Sequence, residues 1–213
     1  MQPRRLTRQI QLGNTRTGIV KIGGGLPDAQ GRSTEPAPVS VQTMTAGYTH
    51  DIDACVAEIN KLHTAGADIV RVAVPEKKDT EALKEILAQT RIPIVADVHF
   101  HYQRAIEAVE AGVHKIRLNP GNISERDQVN AVIDACKAAA IPIRVGVNEG
   151  SIIERKDKLK RMKELGAVFS THKHGYLLAI MIAKLEEYLD IFHERELYDT
   201  CVTDRFSNAA MLI

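Results

Sequence analysis

IVRVAV at 69–74 and IPIVADV at 92–98 read as two strands of one parallel sheet, and the parity of their residues sets the rest of the fold. Successive side chains of a strand point to opposite faces. In the first strand Val70, Val72 and Val74 share a face and Arg71 lies on the other; in the second, Ile94, Ala96 and Val98 oppose Val95, Asp97 and then His99. The same alternation appears further out. KIRLN at 115–119 sets Ile116 and Leu118 against Arg117 and Asn119, and IPIRVGV at 141–147 sets Ile143, Val145 and Val147 against Arg144 and Asn148. VSVQTM at 39–44 places Gln42 opposite Val41. An apolar face fits a layer of helices, so the polar set points into a barrel interior, near the C-terminal strand ends where barrel enzymes hold their sites.

Helical periodicity fills the gaps between these strands. DIDACVAEINKLHTAGAD repeats Ile52, Val56, Ile59 and Leu62 on one face and stops at Gly66; Thr80–Thr90, Gln103–Gly112 and Glu125–Ala140 read as the next three helices. This alternation predicts an α/β fold of the TIM type, a (β/α) barrel, with a doubly wound open sheet as the other arrangement the pattern allows. Beyond Asn148 come a charged segment at 154–164, a long amphipathic helix at 176–192 and a sixth strand, YDTCVT, at 198–203, with the next helix expected to begin near Ile213. A barrel of eight strands cannot close with six, so the expectation is an incomplete barrel of about six βα units over 39–213. Residues 1–38 are expected to form a short N-terminal capping hairpin around Gly23–Gly24–Gly25 and an exposed loop.

Composition narrows the function. The 213 residues carry 28 Lys and Arg against 27 Asp and Glu, which gives no bulk positive charge for nucleic acid or an anionic membrane. No apolar run reaches the roughly 18 residues of a membrane span, and MQPRRLTRQIQ has no apolar core of a signal peptide, so a cytoplasmic location is expected. Cys55, Cys136 and Cys201 are too far apart in sequence to form a CxxC pair for a metal, and the first two fall on apolar helix faces.

The charge inside the barrel is therefore the informative feature. Arg71, Arg117 and Arg144 converge with Asp97 as their evident counter-ion, and a buried unpaired guanidinium costs several kcal/mol. Guanidinium groups take phosphate oxygens bidentately, and Asn119, Asn148 and Gln42 add neutral donors, so a di- or polyphosphate would satisfy the set. The turns NPGN at 119–122 and NEGS at 148–151 could aim backbone N–H groups at the same anion. A purely structural Arg/Asp network is the competing reading. HKH at 172–174 and the basic run near 160 read as solvated surface, and the triple glycine lacks the strand–GxGxxG–helix context of a dinucleotide site.

VSVQTMT, GADIVRVAVP, IPIVADVHF, KIRLNPGNI and IPIRVGVNEGS, in this order and spacing, resemble the 4-hydroxy-3-methylbut-2-en-1-yl diphosphate synthases of isoprenoid biosynthesis. The resemblance implies a reductive ring opening of 2-C-methyl-D-erythritol 2,4-cyclodiphosphate. Ferredoxin or flavodoxin would supply electrons through a [4Fe-4S] cluster held by a separate C-terminal iron–sulfur domain, outside this chain, and the full-length enzyme would be a homodimer. By position Arg71, Arg117, Asn119, Arg144 and Asn148 would bind the diphosphate, with Asp97 and His99 lining the mouth; Arg205 in TDRFSN stands where the family commonly has a lysine. This chain alone would then be a substrate-binding, catalytically silent part. Other phosphate-binding barrels, such as pterin-binding synthases, and a non-enzymatic binding chain are the alternatives.

Overall fold

A computed structural model describes residues 7–27, 31–146 and 191, together with the backbone of 201–204 and 209–212. The N-terminal hairpin pairs β1 (Ile10–Asn14) antiparallel with β2 (Gly18–Ile22). Then β3 (Gln42–Met44), α1 (Ile52–Thr64), β4 (Ile69–Val74), α2 (Lys77–Gln89), β5 (Ile94–Val98), α3 (Tyr102–Ala111), β6 (Lys115–Leu118), α4 (Arg126–Ala138) and β7 (Ile143–Gly146) alternate along the chain. The five strands β3 to β7 are parallel and adjacent in chain order. This is the expected βα alternation of a barrel wall, covered by its crossover helices.

The sixth strand departs from expectation. Residues of YDTCVT do enter a strand, β8 (Cys201–Asp204), but it pairs antiparallel with β9 (Ala209–Leu212), which lies antiparallel against β7. Residues near Ile213 are thus strand where a helix was expected. The link at 205–208 is the reason: four residues can join antiparallel neighbours, whereas a parallel crossover needs a dozen or more. Of the long helix expected at 176–192 only Ile191 is described; it is helical and buried in the core, and the charged segment at 154–164 and HKH lie outside the described residues.

Local chemistry explains where the elements begin. Pro93 and Pro142 have no N–H to give, so β5 and β7 start one residue after them while the proline carbonyls accept from Val70 and Ile116. Helix α2 starts at Lys77, three residues before the expected Thr80, because Asp79 Oδ2 accepts from the Glu76 amide at 3.0 Å and closes the first turn. Helix α3 ends on Gly112 in the left-handed region at φ 94°. Strand β3 is short: Val39 and Val41, expected within it, are exposed.

The hairpin also turns elsewhere than at the glycines. Asn14 Oδ1 accepts from the amides of Arg16 and Thr17, and Thr17 Oγ1 accepts from Asn14, so NTRTG makes the turn. Gly24 instead runs beside Thr7, with bonds in both directions between their backbones; at φ 126° an added Cβ would lie 2.5 Å from the Glu35 carbonyl.

Two cores follow from the parity of the strands. Val70, Val72, Val74, Ile94, Ala96, Val98, Ile116, Leu118, Ile143 and Val145 pack against the helices. On the inner face Ile69 and Val95 meet Leu12 of the hairpin, which makes an apolar floor at the N-terminal end of the strands. The cap is also latched by Arg16, whose guanidinium donates to the carbonyls of Leu87, Ala88 and Thr90 at the C-terminal end of α2. Among the described residues no helix is long and apolar enough to cross a membrane.

Candidate functional site

Strand register sorts the inward-facing residues into rows. Gln42 stands beside Ile69 at floor level. Met44, Arg71, Val95 and Lys115 form the next row, and Ala73, Asp97, Arg117 and Arg144 the row above it. His99 and Asn119 follow directly after β5 and β6, at the C-terminal rim. The side chains expected inside the wall do therefore share one face, with Gln42 lowest and Arg71 in mid-strand.

Asp97 organises the centre. Its Oδ1 takes Arg117 Nη1 at 2.9 Å and its Oδ2 takes Arg71 Nε at 3.1 Å, with its side chain only 3% exposed. Arg117 also donates through Nη2 to the Gly146 carbonyl at 2.9 Å, which fixes the plane of its guanidinium. Arg71 rests its Nη2 and Nε on the Met44 sulfur at 3.2 and 3.4 Å and stays partly open to solvent. Since both oxygens of Asp97 already hold arginines, this carboxylate orients the guanidinium groups. Arg144 stands beside Arg117 and adds charge to the same row.

The rim residues behave differently from one another. Asn119 is buried, and its Oδ1 accepts from the Gly121 amide at 3.0 Å while its carbonyl accepts from Asn122 and Ile123. The N–H groups of Gly121 and Asn122 in the NPGN turn, and of Ile123 just after it, therefore hold the turn itself rather than pointing at the mouth. His99 is half-buried, its Nδ1 enclosed with no hydrogen-bond partner among the described residues. Asn148 and Arg205 lie outside the described residues.

Three features were not anticipated. Lys115 shares the inward parity of Arg117 and has no exposed surface; burial first, and then the Arg144 charge, push its ammonium down to about 7. The signal was present in the alternation, two positions before Arg117. Met44, the neighbour of Arg71, also lies at an inward position. His50 Nδ1 meets Asp79 Oδ1 at 2.7 Å between the segments that open α1 and α2, a pairing across 29 residues that no local spacing marks.

Cys55 and Cys136 sit in the helix layer, on α1 and α4, as expected. Burial pushes their thiols up to about 11 and about 12, with the Glu58, Asp51 and Asp79 carboxylates adding to the effect at Cys55. Both are protonated at neutral pH and face neighbouring helices, so they do not fit an iron–sulfur cluster, which needs converging thiolates. Among the described residues no group of three or more His, Cys, Asp or Glu could hold a metal ion.

A wall of parallel βα units covered by its crossover helices, with a row of cationic side chains on the inner face, defines a protein of the (β/α)-barrel class. The chain belongs to the GcpE TIM-barrel domain family, whose model matches residues 14–213. It is 38% identical over 211 residues to a 4-hydroxy-3-methylbut-2-en-1-yl diphosphate synthase (flavodoxin) of Shouchella clausii, covering 99% of this chain and 49% of that protein. The synthase of the same name from Listeria monocytogenes serovar 1/2a is 39% identical over 208 residues, 97% of this chain and 48% of that one. In the Nitratiruptor relative of that name identity rises to 56% over 116 residues, 54% of this chain and 33% of that protein. The chain thus spans about half the length of the first two relatives.

Proposed function

We propose that this chain is the substrate-binding barrel part of a 4-hydroxy-3-methylbut-2-en-1-yl diphosphate synthase, an oxidoreductase that opens a cyclic diphosphate reductively. The observation that carries the reading is the row Asp97–Arg117–Arg144 with Arg71 beneath it: three guanidinium groups on β4, β6 and β7, two of them held by the one carboxylate of Asp97 on β5 between them. A diphosphate offers the missing negative charge. Arg71, Arg117 and Arg144 bind it, Asp97 orients two of them, and His99 and Asn119 line the rim, with Asn148 and Arg205 as further substrate contacts and Gln42 deeper in the wall.

Ring opening transfers a carbon–oxygen bonding pair to the diphosphate, so negative charge grows on oxygens beside the arginines. Preorganised guanidinium groups stabilise that growth without rearranging. Overall the cyclodiphosphate takes two electrons and two protons and releases one water. By likeness to the relatives' names, flavodoxin supplies the electrons, ferredoxin being the other candidate donor. The iron–sulfur chemistry of the family finds no ligands in Cys55 or Cys136, and we read this chain as the part that binds the substrate. At full length the protein works as a homodimer.

The test is calorimetric titration of the cyclodiphosphate. Arg117→Ala or Arg144→Ala should each weaken binding by roughly 1.5–3 kcal/mol, the value of a charge-assisted hydrogen bond. Unchanged affinity in both variants would sink the assignment.

A further inference from the structure

We propose that the cavity between the N-terminal cap and the C-terminal ends of α3 and α4 is a separate ligand site, which takes a small aliphatic monocarboxylate on the N–H groups of His114 Nε2 and Asn14 Nδ2. His114 and Pro142 of its lining stand directly before β6 and β7, so the cavity lies at the end of the wall opposite the rim and does not depend on the reading of the arginines.

A mismatch of donors is the first support. The Ile94 amide donates to His114 Nδ1 at 3.1 Å, so the proton of the neutral ring sits on Nε2. His114 is 7% exposed, and burial, then the Arg16 charge, lower its pKa, which keeps the ring in that neutral form. Its Nε2 faces Asn14 Nδ2 at 3.1 Å. The Asn14 amide is not free to turn its oxygen toward the ring, because Oδ1 accepts from the Arg16 and Thr17 amides at 2.9 and 3.2 Å. Two N–H donors therefore meet with no acceptor between them among the described residues. A buried donor left in that state costs about 1–3 kcal/mol, and one oxygen within reach of both nitrogens removes the mismatch.

The cavity beside His114 sets the size and character of the occupant. Its volume is about 240 Å³, several times the roughly 30 Å³ share of one water and below the roughly 300 Å³ where sites for larger ligands begin. Val109, Val113, Ile141 and Pro142 give it apolar walls. The helix ends that border it meet much of their own demand: the amides of Gly112 and Val113 close on the Val109 and Ala108 carbonyls, and those of Ala139, Ala140 and Ile141 on Ala135, Lys137 and Cys136. What the His114–Asn14 pair asks for is an acceptor. Arg16 acts on His114 as a positive charge, which favours a carboxylate oxygen over a neutral one, and the walls favour a short hydrocarbon body. A branched aliphatic acid such as isovalerate meets both requirements.

The experiment titrates isovalerate into the chain labelled with ¹⁵N-histidine, following the ring nitrogens by NMR, with His114→Phe identifying the resonance. The free chain should show His114 protonated at Nε2, and isovalerate should shift that nitrogen saturably with a dissociation constant of roughly 1 mM or less. Isopentanol, which keeps the hydrocarbon body and lacks the carboxylate, should bind at least about tenfold more weakly, as should isovalerate to His114→Phe. Excess pyrophosphate should leave the isovalerate midpoint where it was. A His114 resonance that isovalerate does not move saturably overturns the proposal, as does equal binding of isopentanol. Displacement by pyrophosphate overturns it too, because the acid would then sit at the arginines. If His114→Phe does not fold, nuclear Overhauser contacts from bound isovalerate to the methyls of Val109, Val113 and Ile141 decide, and their absence overturns the proposal.

Discussion

Replacing Asp97 by Asn should destabilise the fold and, at the same time, make it more responsive to anions. Asp97 is nearly enclosed and holds Arg117, itself 9% exposed, at 2.9 Å. Removing one partner of such a buried pair costs about 3–5 kcal/mol, because the remaining guanidinium stays desolvated without its counter-charge. The Arg71 contact at 3.1 Å adds less, since that side chain is 24% exposed and solvent screens it. With a urea slope of about 2 kcal/mol per molar, the unfolding midpoint should fall by about 1.5–2.5 M. Pyrophosphate should then return more stability to Asp97→Asn than to the unaltered chain, because it meets two guanidinium groups freed from a competing carboxylate. At 100 times its dissociation constant an anion restores about 2.7 kcal/mol. The assay is urea denaturation followed by circular dichroism, with and without pyrophosphate. Midpoints within 0.5 M of each other, on the order of 1 kcal/mol, or equal stabilisation of both proteins by pyrophosphate, would refute the view that Asp97 supplies the counter-charge of these two guanidinium groups.

The folded-state value of Lys115, about 7, lies below its ordinary 10.5, so between those values the unfolded chain binds more protons and Lys115 makes stability rise with pH. Subtracting the stability curve of Lys115→Met should isolate a slope of up to about 1.4 kcal/mol per pH unit across that window, flat below pH 7, and a flat difference throughout would remove the buried ammonium from the account. Arg16→Ala strips the carbonyls of Leu87, Ala88 and Thr90 of their shared donor and should cost roughly 1–2 kcal/mol, a fall of several degrees in Tm by scanning calorimetry; a shift under about 1 °C would show the latch to be idle. Cys55 and Cys136 should resist a thiol-specific disulfide reagent until denaturant is added, as peptide mapping would show, and fast labelling of either in the native chain would contradict their burial.

Alternation is the property a sequence displays most openly, and the inward face of β4 to β7 was legible from it. Arg71, Asp97, Arg117 and Arg144 fall where period two puts them, and the opposing valines and isoleucines lie in the helix-facing core. Lys115 has the same parity but opens its strand next to His114, where a lysine reads as a solvated end, and only the folded structure shows it to be enclosed. The NPGN amides looked available because the reach of the Asn119 side chain back to Gly121 depends on backbone angles the sequence does not state. Three consecutive glycines drew the hairpin turn away from NTRTG, although Asn14 and Gly18 are themselves strong turn residues. Pairing direction was hidden in YDTCVT, because strand propensity is the same for parallel and antiparallel neighbours and the link length decides between them.

The cap also imposes an order on how the molecule comes into being. Its hairpin is made before the elements it docks on, yet Asn14 reaches His114 across 100 positions and Arg16 reaches Thr90 across 74. Contacts so distant in sequence carry a large closure entropy and form only when their far partners are already in place. During synthesis the hairpin must therefore wait, a lone two-stranded ribbon of marginal stability, until β4, β5 and β6 have emerged and assembled. Its docking is a closing event in assembly, and the apolar floor of Leu12, Ile69 and Val95 comes into existence only then.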